Sequence, residues 1–273
     1  MERDMRLNIK KNFDEDGYVF LPGFLDKVKV DLINEKFEQF IRERVPHLPS
    51  RHVFYEDDRD PKTLKQLQDL QTYDPFYAEM LFGSRFKTIA EILLDDQVIG
   101  KNLEYFNKPP RIGKPTPPHQ DNYYFMLNPP LAVTMWMALE DADMENGCVR
   151  YIKGSHLGGM RPHGKTKTAG FSQGITDYGE REDLKKEEIA FPAKPGDLLI
   201  HHSMTIHRAD GNRSNLRSRK AVGFIYFGQS AKEDLEAKAA YQKQLNEARL
   251  FQQQAHLNLS ALPPVTGHDD ARR

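Results

Sequence analysis

The sequence predicts an α+β fold in which helices precede an antiparallel β-sandwich or barrel. The first third of the 273-residue chain carries apolar residues at helical spacing, and the middle consists of short apolar runs separated by Pro, Gly, Asn or Asp. Many short strands divided by turn residues are typical of antiparallel sandwiches and barrels. Helices that come before the strands, rather than alternating with them, argue against a parallel sheet.

The N-terminal third contains one predicted strand and two predicted helices. A polar turn leads into a short apolar strand over residues 13–21, which Pro22 and Gly23 end. Apolar spacing predicts a helix over about 26–44 and a second over about 75–94. Asp74 is expected to cap the second helix because proline follows it at the first helical position.

The middle of the chain supplies the other predicted strands. Each is a run of aliphatic and aromatic residues bounded by turn formers. These runs are residues 103–106, 122–127, 132–139, 148–152, 188–191, 197–202 and 220–227. Residues 153–186 are rich in Gly, Lys, Thr and Ser without apolar periodicity, which predicts a long functional loop or lid.

The C-terminal part is expected to be a surface helix and a frayed tail. Residues 231–255 are rich in Ala, Lys, Glu and Gln, and residues 257–273 include Pro263-Pro264 and Gly267. No repeat or domain boundary is evident. We therefore predict one domain over 1–273, with its core at about 12–228 and a C-terminal helix and tail at 231–273.

Composition narrows the environment and the partners. A net charge of −1 gives no field that would attract nucleic acid or an anionic membrane. The first residues lack the apolar core of a signal peptide, and no apolar run is long enough to span a bilayer. The single cysteine, Cys148, fits a reducing compartment and is expected to be a packed thiol. We expect a cytoplasmic protein with a small-molecule substrate; its oligomeric state is left open, with a homodimer as one candidate.

A His-x-Asp pair is the strongest chemical signal in the chain. On one strand, His119 and Asp121 would point to the same face because side chains alternate. A distant histidine would complete two His and one carboxylate with open positions, the ligand set of non-haem Fe(II) oxygenases. Zinc accepts the same ligands. The third ligand can be His201, His202 or His207, and the pattern alone does not choose among them.

Several further motifs follow a fixed order between about residues 12 and 228. They are Asp16-Gly17-Tyr18-Val19, His119-Gln120-Asp121, Trp136 with Ala138-Leu139-Glu140-Asp141, Asn146-Gly147-Cys148, Gly154-Ser155-His156, Pro195-Gly196-Asp197, and His207 through Asn212 to Arg219-Lys220-Ala221. In this order they resemble the phytanoyl-CoA dioxygenase family of Fe(II)- and 2-oxoglutarate-dependent oxygenases. The resemblance implies a double-stranded β-helix, a cupin-like jelly roll with flanking N-terminal helices and a C-terminal helix.

The resemblance also implies roles for individual residues. His119, Asp121 and His207 become the iron ligands and catalytic centre, and Arg219 becomes the partner of the distal carboxylate of 2-oxoglutarate. Arg217 remains an alternative because the segment after Asn212 is one residue longer than usual. Further co-substrate contacts are expected from Gln120, Thr134 and Trp136. The family often has glycine after the third ligand, whereas this chain has Arg208.

The implied reaction is hydroxylation of an unactivated C–H bond, with O2 and 2-oxoglutarate converted to succinate and CO2. The carboxylate of Asp121 favours hydroxylation, because halogenating relatives lack it. Residues after the motif and on the loop are candidates for substrate binding: Asn122, Tyr123, Arg161 and His163. They suggest a small polar molecule, with an aminoalkylphosphonate as the narrower candidate. The alternatives are a natural-product hydroxylase of the same family, a demethylase of the same chemistry, and a non-catalytic or zinc-binding jelly-roll protein.

Overall fold

A computed structural model describes residues 2–83, 85–168, 171–178 and 188–243. The chain divides into two compact units, Met1–Lys232 and Glu233–Arg273. In the second unit residues 235–243 are helical, which confirms that part of the predicted C-terminal helix. Asp234 caps this helix by accepting a hydrogen bond from the backbone N–H of Ala237. Residues 244–255 and the predicted tail lie outside the described residues, and the single domain stays a prediction.

Five α-helices are described in the first unit. They are α1 (Glu2–Asp16), α2 (Lys27–Glu43), α3 (Pro75–Phe82), α4 (Arg85–Leu94) and α5 (Asn122–Phe125). Helix α2 confirms the predicted helix over about 26–44, whereas α1 and α5 were not predicted. Asp26 and Asp74 cap α2 and α3 through their side chains, as helix N-cap residues do. The predicted helix over 75–94 is divided, with Gly83 ending α3. No described helix combines the length and the apolar character that crossing a bilayer requires.

Two antiparallel sheets face each other, which confirms the predicted jelly roll. The described strands are β1 (Tyr18–Leu21), β2 (Val53–Tyr55), β3 (Leu64–Leu67), β4 (Val98–Lys108), β5 (Thr116–His119), β6 (Leu127–Asn128), β7 (Ala132–Ala138), β8 (Val149–Ile152), β9 (His163–Thr168), β10 (Phe171–Ile175), β11 (Glu188–Phe191), β12 (Leu198–His202), β13 (His207–Ala209), β14 (Arg219–Gly228) and β15 (Lys232–Glu233). The larger of the two sheets has the order β1-β12-β7-β14-β4-β3-β2 and the smaller one β11-β8-β13-β5.

Strand β14 shows how the larger sheet separates the core from the interior of the jelly roll. Its alternate residues Val222, Phe224 and Tyr226 are fully buried in the main core beneath the helices. Phe224 stacks on Phe86 of α4 at a ring distance of 4.0 Å. The residues of opposite parity, of which Arg219 is the first, face the smaller sheet, because side chains of a strand alternate between its two faces. Both faces of this sheet are therefore covered.

Two predicted elements were wrong. Residues 122–127 do not form a strand: Asn122–Phe125 is the short helix α5, in which the N–H of Phe125 donates to the carbonyl of Asp121. Aromatic residues favour strands, but this local hydrogen bonding overrides the preference. The predicted loop over 153–186 contains the hairpin β9–β10, although residues 169–170 and 179–187 lie outside the description. Gly174 lets β10 approach β5, since an added Cβ would lie 3.2 Å from Pro117.

Cys148 is 1% exposed, and burial raises the pKa of its thiol. It packs with apolar neighbours in a secondary core between the sheets. This environment is that of a packed thiol, as the sequence predicted, because a buried thiol with a raised pKa is a poor nucleophile.

Candidate metal centre and its cavity

Two histidines and one aspartate converge between the sheets. His119 ends β5 and His207 begins β13, and the pairing of these strands sets the two residues directly opposite each other. One ligand atom from each of His119, Asp121 and His207 lies within 4.8 Å of the other two. The Nε2 atoms of His119 and His207 are 3.3 and 3.6 Å from the same carboxylate oxygen of Asp121. The structure thus brings together the triad that the family resemblance implies.

Asp121 reaches the centre by a different route from the one predicted. It lies beyond the end of β5 with φ −61° and ψ −33°, at the start of α5. Its carboxylate faces the histidines because the chain turns into a helix after His119, not because of strand alternation. The close spacing of His119 and Asp121 in sequence was the correct signal, but the local geometry behind it was not a strand.

Backbone carbonyls set the orientation of both ligand histidines. Nδ1 of His119 lies 2.8 Å from the carbonyl oxygen of Pro117, and Nδ1 of His207 lies 3.0 Å from that of Thr205. A carbonyl only accepts, so each Nδ1 carries the proton and each Nε2 presents a lone pair to the centre. Burial, together with the neighbouring histidines, holds the pKa of His207 well below its usual value. His207 is therefore neutral, as metal binding requires.

The second carboxylate oxygen of Asp121 is held by two donors. The hydroxyl of Thr134 donates to it at 2.5 Å, and Nε2 of His201 lies 3.1 Å away. The hydroxyl of Tyr151 lies 2.9 Å from Nδ1 of His201, which leaves the Nε2 proton of His201 for Asp121. Burial alone raises the pKa of Asp121, but the surrounding histidines outweigh it and hold this pKa well below its usual value. Asp121 is therefore an ionised ligand with a fixed orientation.

The donor set fits a hard or borderline divalent ion with open positions. Two neutral imidazoles and one carboxylate on one side of the centre are the ligands of non-haem Fe(II), and they leave the other side to the cavity. A cavity of about 290 Å³ adjoins them and is walled by both sheets. Its lining includes Trp136, Phe106 and Tyr124.

Arg219 lies in this cavity without an acidic partner. The residue is 4% exposed, and the central carbon of its guanidinium lies 5.3 Å from the ring centroid of Trp136. Burial lowers its pKa to about 10, so it remains charged at neutral pH. The Nε–H of Arg219 donates to no partner within hydrogen-bond distance, and no carboxylate of the described chain pairs with this guanidinium. A buried guanidinium without a counter-ion is costly, so an anion is expected here.

Arg217, the alternative to Arg219, is excluded from the cavity. Its guanidinium pairs with Asp143 at 2.8 Å and also contacts Glu145, and its side chain is 40% exposed. It is absent from the cavity lining. Arg208, which stands where the family often has glycine, follows His207 on β13. It pairs with Glu188 and Asp210, and these carboxylates neutralise its charge.

Five residues predicted to contact co-substrate or substrate lie away from the cavity lining: Gln120, Asn122, Tyr123, Arg161 and His163. Gln120 is fully buried, and its amide bridges the carbonyls of Gly159 and Met204. The side chain of Asn122 bonds the backbone of Leu127 in both directions.

Each of the other three residues contacts another side chain in or beside the hairpin β9–β10. Arg161 pairs with Asp177, and Tyr123 stacks on His163 at 4.3 Å. The helix α5 reverses the expected direction of its side chains, so Tyr124 lines the cavity and Tyr123 does not. Thr134 and Trp136 do line the cavity, although the Thr134 hydroxyl anchors Asp121.

Sequence reasoning missed several polar residues on the larger sheet. Glu104, Asn102 and Gln66 line the cavity, together with Lys65 and Lys108. The available signal was the alternation around Glu104, whose neighbours Leu103 and Tyr105 are apolar. That alternation suggests a solvent-facing side chain, whereas Glu104 is only 7% exposed.

Comparison with known proteins decides the family. A sequence model of the phytanoyl-CoA dioxygenase family matches residues 13–221. This match covers most of the chain and includes the metal triad and Arg219. The chain belongs to the phytanoyl-CoA dioxygenase family. The peroxisomal phytanoyl-CoA dioxygenase of Mus musculus is 28% identical over 242 residues, which are 83% of this chain and 69% of the mouse protein.

Solved structures of low sequence identity share the fold of this family member. The epimerase SnoN, solved in complex with Fe3+, alpha ketoglutarate and nogalamycin RO, has a TM-score of 0.70 at 20% identity, covering 99% of this chain and 94% of SnoN. EctD from S. alaskensis, solved with 2-oxoglutarate and 5-hydroxyectoine, has a TM-score of 0.69 at 19% identity, covering 82% of this chain and 76% of EctD.

Family membership and the triad confirm the predicted enzyme class. The chain is a 2-oxoglutarate-dependent dioxygenase of the phytanoyl-CoA dioxygenase family, and its triad of two histidines and one aspartate fits iron.

Proposed function

We propose that this dioxygenase hydroxylates an unactivated C–H bond of a small polar molecule. Iron would be held by His119, Asp121 and His207, and the distal carboxylate of 2-oxoglutarate by Arg219. The observation that carries the proposal is the buried, unpaired guanidinium of Arg219 in the same cavity as the triad. A guanidinium fork matches a carboxylate with two parallel hydrogen bonds.

Iron and 2-oxoglutarate, when bound, supply the oxidising power that removes hydrogen from the substrate, with O2, 2-oxoglutarate and the C–H compound converted to succinate, CO2 and the alcohol. The protein's own residues supply geometry. His119 and His207 present neutral Nε2 atoms because Pro117 and Thr205 hold their Nδ1 protons. Arg219 would fix the direction of the co-substrate from the far side of the cavity. A cofactor-bound enzyme of this kind depends on such positioning and on the exclusion of water.

The cavity favours a small substrate. A volume of about 290 Å³ is near the lower end of the range of small-molecule sites, and the co-substrate would occupy part of it. Apolar walls from Phe106, Phe125 and Ile225 would surround the carbon skeleton. The structural neighbours SnoN and EctD, solved with nogalamycin RO and 5-hydroxyectoine, are consistent with small-molecule chemistry in this fold.

An aminoalkylphosphonate remains the narrower candidate substrate, although the residues predicted to bind its phosphonate group have other partners. The predicted basic loop would have bound the phosphonate, but Arg161 already pairs with Asp177 and His163 bonds the backbone of Arg161. A natural-product hydroxylation of the same type fits the same cavity.

Anaerobic reconstitution tests the proposal. Fe(II) and then 2-oxoglutarate are added while the weak visible charge-transfer band of the chelate is recorded. We expect the band in the wild-type protein and its loss in Asp121→Ala, with Asp141→Ala, an aspartate outside the cavity lining, as the matched control. Metal demonstrably bound without any band would contradict the proposal and turn attention to a zinc-binding or non-catalytic jelly roll.

A further inference from the structure

The inner face of β4 carries opposite charges at its two ends. Asn102, Glu104, Phe106 and Lys108 alternate along this face and all line the cavity. Lys108, whose Nζ donates to the carbonyl of Lys114, pairs in register with Arg219, and the charged guanidinium of Arg219 marks this end of the face. Glu104 lies two alternations away, about 14 Å along the strand. The cavity therefore has a cationic end beside Arg219 and an acidic end at Glu104.

The carboxylate of Glu104 is buried without a cationic partner. Nδ2 of Asn102 donates to one of its oxygens at 2.6 Å, and Nε2 of Gln66 lies 3.4 Å from the other. No Lys, Arg or His in the described part of the chain forms an ion pair with it. Burial, with added repulsion from Asp121 and Asp69, raises its pKa to about 8. Burial between neutral amides disfavours the ionised form of this carboxyl group. A cation that binds beside it would stabilise that form.

Glu104 lines the cavity, and strand pairing places it in one row with residues of the two neighbouring strands. Its partner in register on β14 is Gly223, followed on β7 by Trp136. A side chain at Gly223 would meet the ring of Phe106, since an added Cβ would lie 2.7 Å from it. The adjacent row contains Thr134, which bonds the metal ligand Asp121. Strand spacings place the Cα atoms of Glu104 and Thr134 about 12 Å apart, so inward-pointing side chains from both reach one small ligand.

We propose that Glu104 is a specificity-determining residue that binds a protonated amine of the primary substrate, with Asn102 and Gln66 orienting its carboxylate. The ammonium group would occupy the acidic end of the cavity and 2-oxoglutarate the cationic end. This inference rests on the proposed function for the identity of the bound molecule as a substrate. It also gives a role to a carboxyl group that the co-substrate site does not use, because Glu104 in its ionised form repels the anionic co-substrate, which Arg219 attracts.

Binding of a simple amine to the wild-type enzyme is the first test. Butylammonium and its neutral analogue 1-butanol are titrated calorimetrically into the anaerobic Fe(II)–2-oxoglutarate complex at pH 9, above the pKa of Glu104. An alkylamine is still mostly protonated at this pH, so almost none of it has a lone pair to offer to the metal. We expect butylammonium to bind at least about tenfold more tightly than butanol. Equal affinity, or preference for butanol, would overturn the proposal without any variant.

A matched pair of variants assigns the effect to Glu104. Glu104→Gln keeps the size of the side chain and removes its charge; Glu35→Gln makes the same change on the exposed face of α2. We expect Glu104→Gln to lose about tenfold or more in butylammonium affinity with butanol binding unchanged, and Glu35→Gln to behave as wild type. An unchanged preference for the amine in Glu104→Gln would contradict the assignment.

Failure of this inference is distinguishable from failure of the proposed function. The chelate band of Fe(II) and 2-oxoglutarate is recorded in the same samples before the amine is added. A band without amine preference refutes only the role of Glu104. Absence of the band refutes the proposed function, and the amine titration is then repeated on the metal-free protein, where discrimination by Glu104 would still be expected.

Discussion

Replacement of Arg219 by alanine should weaken 2-oxoglutarate binding while leaving iron bound. Arg219 is the buried guanidinium of the cavity and lies outside the triad. Removing one partner from a buried, hydrogen-bonded charge pair costs about 2–5 kcal/mol. That cost corresponds to a rise in Kd of roughly 30-fold to several thousand-fold. The fold should survive, because the variant loses a buried charge that has no acidic partner in the described protein.

The assay is an anaerobic titration of 2-oxoglutarate into the Fe(II) protein, followed by the chelate band, with iron content measured in parallel. Arg219→Lys should give an intermediate Kd, because it retains a charge but loses the planar fork. Arg217→Ala is the control and should change Kd less than about twofold, since Arg217 is engaged with Asp143 and Glu145 outside the cavity. An unchanged Kd in Arg219→Ala, or a larger effect in Arg217→Ala, would refute the reasoning.

Three further predictions concern the metal centre and the acidic end of the cavity. His119→Ala and Asp121→Ala should each lose iron on dialysis and lose turnover while retaining the far-ultraviolet circular dichroism of the fold; iron retained at wild-type levels would remove the residue from the ligand set. His201→Phe should weaken iron binding about 10- to 100-fold, because the second oxygen of Asp121 loses a donor; metal competition measures this, and an unchanged affinity would show that Thr134 suffices. The pKa of Glu104 is about 8 when folded, above its ordinary value of 4.5, so its contribution to the stability of the metal-free protein is fully present below pH 4.5 and is lost, by roughly 3–5 kcal/mol, as the pH rises from 4.5 through 8. Urea unfolding of Glu104→Gln should show a smaller fall over this range; identical profiles for variant and wild type would contradict it.

Local patterns predicted the fold class, helix α2 and the helical region of α3 and α4, but not α1 or α5. Asp26 and Asp74 cap their helices as their side chains allow, because a cap depends on residues within one turn. Short apolar runs bounded by turn residues likewise predicted β7, β12 and β14, whose residues are almost all buried. Residues 122–125 were misassigned because three aromatic side chains favour a strand, whereas the carbonyl of Asp121 starts a helical turn.

The sequence by itself determined the nearby part of the metal centre, and the tertiary structure decided the distant part. His119 and Asp121 are linked by chain proximity, but His201 and His207 became distinguishable only when β13 paired with β5. Arg217 and Arg219 have the same strand parity, and they differ because β14 begins at Arg219. Glu104 has the alternation of a solvent-facing residue. It lines a cavity because a second sheet, built from residues far away in sequence, covers that face, and no local pattern contains this information.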